Sequence, residues 1–247
     1  MHYAQCILSA MLKFSLLENF YFGTKKDYVV ETIRTSILVG DILPGTRITE
    51  QQIKDLLKIS SSPIREALQQ LEAEGLLTRN PHVGTKVTEM DIEDARELYS
   101  IQALLQGTAV QISTQKLTEK DIRKAESLNN EMKKMYSKTI DMKGLRVANY
   151  KLHMILCGAG VYPWLTRMIS ALWILFPSQK YWLIAGEPKD SVDYHEKIIH
   201  AIKQRDEILA GSLMREHLEN SRRALYGTTK RSGQIGKRRQ TWVLRKN

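Results

Sequence analysis

Cysteine is scarce in this 247-residue chain, which contains only Cys6 and Cys157. Two cysteines that stand far apart indicate neither a disulfide framework nor a cysteine zinc site. Long apolar runs are also missing, because charged residues interrupt the first hydrophobic stretch and Arg167 interrupts WLTRMISALWILF. Neither stretch is long enough to span a bilayer. We therefore expect a globular protein of the reducing cytoplasm that has no membrane partner.

Acidic residues are absent from the C-terminal end of the chain. Residues 227–247 hold seven Lys/Arg and no Asp or Glu, which accounts for most of the net charge of +10. This composition predicts a disordered basic tail, which is either simply solvated or a DNA-binding arm. At the other end, we set residues 1–24 aside from fold reasoning as an N-terminal extension, for which disorder is one expectation.

Three helices and a hairpin are predicted after this extension. Helical periodicity covers residues 26–39 and stops at GDILPG, and a short helix follows over 50–57. The tight connection KISSSP then leads into a third helix over 60–74, which ends at Gly75. Two short helices joined by a turn form a helix-turn-helix, whose second helix enters the major groove of DNA. The following LLTRNPHVGTKVTEM predicts a β-hairpin wing.

Arg65 lies near the start of the third helix, where the helix dipole disfavours a cation. We predict that an anion faces Arg65, and the helix-turn-helix pattern makes that anion DNA. Ser60 and Ser62 are either helix caps or phosphate contacts. His82 is by default a turn residue. Gly84 permits an unusual backbone geometry, and it also lets the wing approach a groove closely.

The character of the sequence changes beyond residue 90. Long amphipathic helices without strand signals are predicted over 91–114, 118–139, 143–157, 162–185, 190–204 and 206–226. The predicted division is a winged helix-turn-helix domain over 25–89, an all-α domain over 90–226 and a basic tail over 227–247. The fold class is mainly α, with the wing as the β-structure and an antiparallel helical bundle as the second domain.

Polar side chains recur on the inward faces of three helices of the second domain. The segment NYKLH places Asn149 and His153 at i, i+4, while His195 and His217 are in phase with apolar residues of their own helices. Three imidazoles can bind a divalent metal, although buried histidines are also found as satisfied core residues. Cys157 lies one turn after His153 and is either close to this site or a small buried apolar residue.

The first of these regions resembles a known family. GDILPGTRITEQQIKDLLKISSSPIREALQQLEAEGLLTR, with the following VGTKV, looks like the winged helix-turn-helix of GntR-type bacterial transcription regulators, and the helical region looks like the FCD ligand-binding domain of their FadR subfamily. The resemblance covers about residues 25–226. Ser61 stands where the family usually has an arginine that contacts the operator. The DNA-contacting set that the resemblance implies is Gln51, Ser60, Ser61, Ser62, Arg65, His82 and Gly84.

The resemblance also implies a metal and an effector. The FCD pattern has Asp-x3-His on one helix and single histidines on the last two, which implies a divalent metal such as zinc or nickel bound by Asn149, His153, His195 and His217. Asn149 replaces the usual aspartate, so that an oxygen ligand is kept and a charge is lost. Gln102 and Gln106 stand where relatives carry arginine and glutamate, and we expect them to contact the effector. In relatives that arginine is a partner for an acidic effector, so its loss here leaves a different or less anionic ligand as an alternative.

The expected function is that of a dimeric, ligand-responsive transcription regulator, which in this family is most often a repressor. Its partners would be a double-stranded DNA operator and a small-molecule effector with a carboxylate. One alternative is a metal-dependent enzyme, since three histidines with an open coordination position could activate water. Against it, the sequence offers no convincing general base and no HExxH motif. The other alternative is a direct metal sensor.

Overall fold

The computed structural model describes residues 23–80, 84–138, 141–175 and 188–225. His82, residues 1–22 of the predicted extension and the basic tail lie outside these ranges. The described helices are α1 (Lys25–Val39), α2 (Glu50–Leu57), α3 (Ser61–Ala73), α4 (Ile92–Ser113), α5 (Glu119–Lys138), α6 (Met142–Leu156), α7 (Pro163–Leu175), α8 (Pro188–Lys203) and α9 (Glu207–Ala224). The strands are β1 (Arg47–Ile48), β2 (Leu77–Asn80) and β3 (Gly84–Val87). The predicted fold class, a winged helix-turn-helix followed by a helical bundle, is confirmed.

Local sequence sets the ends of the first helices. Thr24 caps α1 by accepting a hydrogen bond from the Asp27 amide, and Gly40 ends this helix at a φ of 80°, where a side chain would be strained. A capping box starts α2, since Thr49 and Gln52 each accept a hydrogen bond from the backbone amide of the other. Ser60 differs from the prediction: it is the N-cap residue of α3, but its side chain makes no capping hydrogen bond.

The wing contains one strand more than the sequence predicts. The sheet is antiparallel in the order β1-β3-β2, and Arg47 and Ile48 of β1 pair with Lys86 and Thr85 of β3. A strand of two residues is too short to produce a periodic pattern, which explains why it was missed. The pairing ties the α1–α2 connection to the wing, and Ile48 is buried in the core of the first domain.

A second hydrophobic core lies among the helices from α4 to α9. Here α4 and α9 approach each other closely at Gly107 and Gly211. A Cβ atom on Gly211 would lie 2.8 Å from the Gly107 carbonyl oxygen and 2.7 Å from the Cβ of Gln111, so this crossing requires glycine. The close packing fixes α9, and with it His217, against α4. No helix of the described ranges is long and apolar enough to cross a membrane.

The two cores meet along α6 and α7. Ile174, near the end of α7, is buried in the core of the first domain, whereas Ile169 of the same helix belongs to the second core. Tyr150 and Trp173 pack against both cores. An ion pair of 2.5 Å between the Lys143 ammonium and an Asp41 carboxylate oxygen joins the same two domains. These contacts connect the DNA-binding region with the helices that carry the histidines.

Candidate metal centre and nucleic-acid interface

The structure brings the three predicted histidines together. His153 of α6, His195 of α8 and His217 of α9 offer ring nitrogens that all lie within 4.8 Å of one another. The three side chains are 1%, 0% and 5% exposed, respectively. Tight crossings of helices whose inward faces are otherwise apolar therefore place three imidazoles at one buried point.

Hydrogen bonds fix which nitrogen of two of these rings carries the proton. Asn129 donates from Nδ2 to the Val192 carbonyl at 3.1 Å, so its Oδ1 must accept from His195 Nδ1 at 3.2 Å. His153 Nδ1 likewise donates to Gln106 Oε1 at 2.7 Å, while the amide nitrogen of Gln106 donates to Gln102 Oε1 at 2.7 Å. Both histidines thus hold their proton on Nδ1, and their Nε2 atoms carry free lone pairs.

The two lone pairs face each other. His153 Nε2 and His195 Nε2 are 3.0 Å apart, a contact that is repulsive unless a proton or a cation lies between the nitrogens. Burial lowers the pKa of both rings, with the neighbouring imidazoles as the lesser cause, so a shared proton is disfavoured at neutral pH. Burial also lowers the pKa of His217 to about 4. Three neutral imidazoles are good ligands for zinc or nickel.

Asn149 supplies a fourth donor at the same point of α6. Its Oδ1 is buried and has no hydrogen-bond partner among the residues that the structure describes. An unpartnered buried carbonyl oxygen costs about 1–3 kcal/mol, which a bound cation would recover. Two nitrogen ligands of one zinc ion, each about 2.0–2.1 Å from the metal, also lie on the order of 3 Å apart, as the two Nε2 atoms do. The donor set therefore fits a divalent metal.

A small cavity of about 30 Å³ adjoins this cluster. Its lining comprises Tyr99, Gln102, Arg146, Asn149, His153, Trp173, Ser191, His217, Leu218 and Ser221. By this measure one water molecule needs roughly 10–15 Å³, so the cavity has room for about two. Because Gln102 lines this cavity, its position is compatible with the predicted effector contact. Gln106 is not part of the lining, and its side chain orients His153 instead.

Cys157 is fully buried and weakly bonded to the same network. Its thiol lies 3.9 Å from Gln106 Oε1, and burial raises its pKa, so that it stays protonated. The apolar interpretation of this residue fits its surroundings better than a ligand role does.

The residues at this site that were not predicted include Arg146, Asn129 and Trp173. Arg146 lies one turn before Asn149 on the same face of α6, a spacing that the sequence did display. Asn129 and Trp173 gave no such signal, because only the packing of α5 and α7 brings them to the histidines. The rings of Trp173 and His153 pack edge to face, with 5.2 Å between their centroids. The indole nitrogen of Trp173 is buried and has no hydrogen-bond partner among the described residues.

The candidate nucleic-acid interface lies on the winged helix-turn-helix domain. Ser62, Arg65 and Gln69 form an exposed stripe on α3 at spacings of three and four residues. Together with α2 and the wing, α3 borders an open hollow of about 530 Å³. Arg47 and Arg79 of the wing strands also line it, and neither these two arginines nor Gln69 were among the predicted DNA contacts. Gln69 could have been found, because it follows Arg65 by one helical turn.

The anion that faces Arg65 in the protein alone is a carboxylate of its own chain. Arg65 Nε lies 2.9 Å from one Glu50 oxygen and 3.1 Å from the other, and the Arg65 side chain is 64% exposed. Without DNA, the anion that faces Arg65 is thus Glu50, and the contact of Arg65 with DNA stays a prediction. An exposed ion pair is worth only about 0–1 kcal/mol, so a DNA phosphate can replace Glu50.

Of the other predicted DNA contacts, Gly84 lines this hollow, whereas Gln51 and the three serines lie on or beside α2 and α3, which border it. Gln51 is exposed and bonds Asp55 at 2.7 Å, while the Ser62 hydroxyl donates to Glu66 at 3.0 Å. Ser60 is exposed and Ser61 is half-buried. Gly84 lines the hollow with a φ of 92°, and a Cβ there would press on the Arg47 guanidinium at 3.2 Å. Glycine is thus required by the backbone and by the packing of Arg47 across the wing.

Comparisons with known proteins agree with this architecture. The family model "Bacterial regulatory proteins, gntR family" matches residues 25–87, and the model "FCD domain" matches residues 97–220. The HTH-type transcriptional regulator YdhC of Bacillus subtilis is 32% identical over 125 residues, a match that covers 50% of this chain and only 55% of YdhC. LutR, an HTH-type transcriptional regulator of the same species, is 25% identical over 211 residues, which cover 76% of this chain and 95% of LutR.

Solved structures show the same fold. The Escherichia coli protein McbR/YncC superposes with a TM-score of 0.74 at 22% identity, and the match covers 84% of this chain and 100% of that one. A putative GntR regulator from Rhodococcus sp. RHA1 gives a TM-score of 0.69 at 21% identity, with 82% and 98% of the two chains covered.

Proposed function

The chain belongs to the FCD-domain regulators that carry a gntR-type DNA-binding domain, and from this premise we propose that it is a ligand-responsive transcription repressor. It binds operator DNA through α3 and the wing, and it binds a small organic acid in the cavity beside the histidines. The family is one of transcription regulators, not of enzymes. We retain the division of the chain at residues 89 and 90 as part of this proposal.

One observation carries the proposal. The chain has an exposed recognition helix and a polar cavity, and a side chain that lines the cavity also packs against the core beneath that helix. Trp173 lines the cavity and also packs against the core that holds α3. A ligand that changes the cavity therefore has a physical route to the DNA-binding domain, which a regulator needs.

Asn149, His153, His195 and His217 are the residues that would hold a divalent metal, zinc or nickel by their chemistry. A bound ion would supply a positive centre that attracts an anionic effector. Gln106 and Asn129 keep the Nε2 lone pairs of two histidines directed at that position. Gln102 and Tyr99 present amide and hydroxyl groups to the cavity, where they can bond a carboxylate or a hydroxyl of the effector.

The protein acts as a homodimer in the bacterial cytoplasm, where its operator is. One helix-turn-helix offers few base contacts, and two-fold pairing doubles the readout. Large apolar side chains support a dimer surface on the second domain: Leu104 of α4 and Ile208 and Leu209 of α9 are 62%, 64% and 45% exposed. Apolar side chains of this size commonly mark protein–protein contacts when they are grouped on a surface.

DNA binding is tested with a duplex that the parent protein selects from a randomised pool. Arg65→Ala should weaken binding in fluorescence anisotropy by on the order of 1–3 kcal/mol. Arg123→Ala, on an exposed part of α5, removes the same charge far from the hollow and should leave binding unchanged. Equal losses for both variants would reject the assignment of α3.

Metal binding has a matched pair of variants on one helix. His195→Ala removes a buried member of the cluster, whereas His200→Ala changes an exposed histidine of the same α8. Elemental analysis after exposure to zinc should find metal in the parent and in His200→Ala but little in His195→Ala. Equal metal contents would return the three histidines to a packing role. A change in DNA affinity caused by zinc alone would favour the metal-sensor alternative.

A further inference from the structure

Arg146 is a buried cation that has no counter-ion among the residues that the structure describes. Its side chain is 7% exposed and lines the cavity. Within the described ranges, no acidic residue lines the cavity, and burial is the cause of the lowered pKa of this guanidinium. Buried charges in proteins are normally paired, because an isolated one is costly. A bare arginine that faces a cavity therefore indicates an anion that comes from outside the chain.

The charge balance around the cavity points to more than one negative group. The proposed metal ligands are neutral imidazoles and a neutral amide, so a divalent ion held by them keeps its full charge. Arg146 adds one further positive charge at the same cavity, and none of the lining residues that the structure describes carries a negative charge. A monocarboxylate would neutralise only part of this charge in a low-dielectric site.

We infer that Arg146 is the residue that selects the effector, and that the effector is a compact dianion with one acidic group on the Arg146 guanidinium and the other at the histidine cluster. This inference rests on the proposed function. The planar guanidinium can bind a carboxylate through two parallel hydrogen bonds, which adds directionality as well as charge.

Arg146 and Asn149 project from neighbouring turns of α6 into one small cavity, so the two acidic groups of the ligand must lie close together. Arg146 and Asn149 are three residues apart on α6, a rise of about 4.5 Å along the helix axis. Two carboxylates separated by one or two carbon atoms span a distance of this order. A short dicarboxylate thus fits better than a long-chain acid, and a sugar without an acidic group would leave Arg146 unpaired.

The test uses two matched pairs of probes on the zinc-treated full-length protein: malonate with propionate, and succinate with butyrate. Each pair has one chain length and differs by one carboxylate. Calorimetry should show that at least one dicarboxylate binds about tenfold or more tightly than its partner, the factor expected for hydrogen bonds to a charged group. In Arg146→Gln this preference for the dicarboxylate should disappear. Arg146→Lys should keep part of it, because lysine retains the charge but cannot form the two parallel hydrogen bonds of the planar guanidinium.

Arg123→Gln serves as the control, since it removes an equal charge from an exposed position and should keep the preference. Zinc content and DNA affinity are measured on every variant, so that a failed ligand preference is distinguished from a failed metal site or a failed regulator. Equal binding of mono- and dicarboxylates by the parent, no binding of either, or an unchanged preference in Arg146→Gln would each overturn the inference while leaving the regulator proposal standing.

Discussion

Replacement of Arg146 by methionine should stabilise the ligand-free protein. Methionine is shorter than arginine but unbranched and flexible, so it can fill the space of the arginine stem, and it carries no charge. The substitution therefore chiefly removes the desolvation cost. Burial lowers the pKa of the guanidinium from its ordinary value to about 10. At about 1.4 kcal/mol per pKa unit, this difference corresponds to about 3 kcal/mol by which the charged side chain destabilises the folded state.

The sign follows from the direction of this change. Below pH 10 the arginine is protonated in both the folded and the unfolded chain, so the folded state bears the whole cost. As the pH rises through about 10, the folded chain releases the proton first and the cost decreases. The gain from Arg146→Met is thus fully present at neutral pH. With about 2–4 °C per kcal/mol for a chain of this size, Tm should rise by roughly 6–12 °C.

Thermal unfolding at pH 7 without added anions measures this effect, and Arg96→Met is its control. Arg96 is equally buried at 7% exposure, but it pairs with Glu93 and donates to the Leu225 carbonyl at 3.0 Å. Its replacement removes these bonds and should lower Tm. A fall in Tm for Arg146→Met comparable to that of Arg96→Met would mean that the guanidinium has a structural partner, and the reasoning about a bare charge would be refuted.

Three further outcomes are expected from single substitutions. Glu50→Gln frees Arg65 from its ion pair and should strengthen operator binding in fluorescence anisotropy by up to about 1 kcal/mol; weaker binding would contradict competition between Glu50 and phosphate. Asn149→Asp adds a negative charge to the donor set and should tighten zinc binding in calorimetry, and an unchanged affinity would place residue 149 outside that set. Asn129→Leu removes the acceptor that orients His195 and should lower zinc affinity by about 10–100-fold in a chelator competition, whereas the parent value would dissociate Asn129 from the site.

The helices were predictable because amphipathic periodicity extends over their whole length. Predicted and observed bounds differ by at most two residues for α4, α5, α6, α8 and α9. The predicted helix over 162–185 corresponds to α7 up to Leu175, and its later residues lie outside the described ranges. Among the elements that the structure describes, the two-residue β1 alone was not predicted, since pairing with β3 rather than its own sequence makes it a strand.

The candidate site was predictable only in part. Helical phase directed the three histidines inward, and the family pattern grouped them, but neither revealed what holds them. Gln106 was expected at the effector, whereas in the structure it fixes the proton of His153. Asn129 reaches His195 from a helix far away in the sequence, and only tertiary packing creates that contact. Similarly, Glu50 approaches Arg65 only because α2 crosses α3.

Trp173 packs against both hydrophobic cores, so its position couples the shape of the cavity to the packing of the DNA-binding domain. The cavity has room for about two water molecules, so any larger ligand must displace part of its wall. If the displaced part is Trp173, the side chains of the first domain that pack against it must move as well. Ligand binding then changes the affinity for operator DNA, and thermodynamic linkage requires that DNA binding change the affinity for the ligand by the same factor. A mutation that enlarged the cavity by shortening this side chain would also loosen the support of the recognition helix. A substitution of Trp173 should therefore change ligand specificity and DNA affinity together.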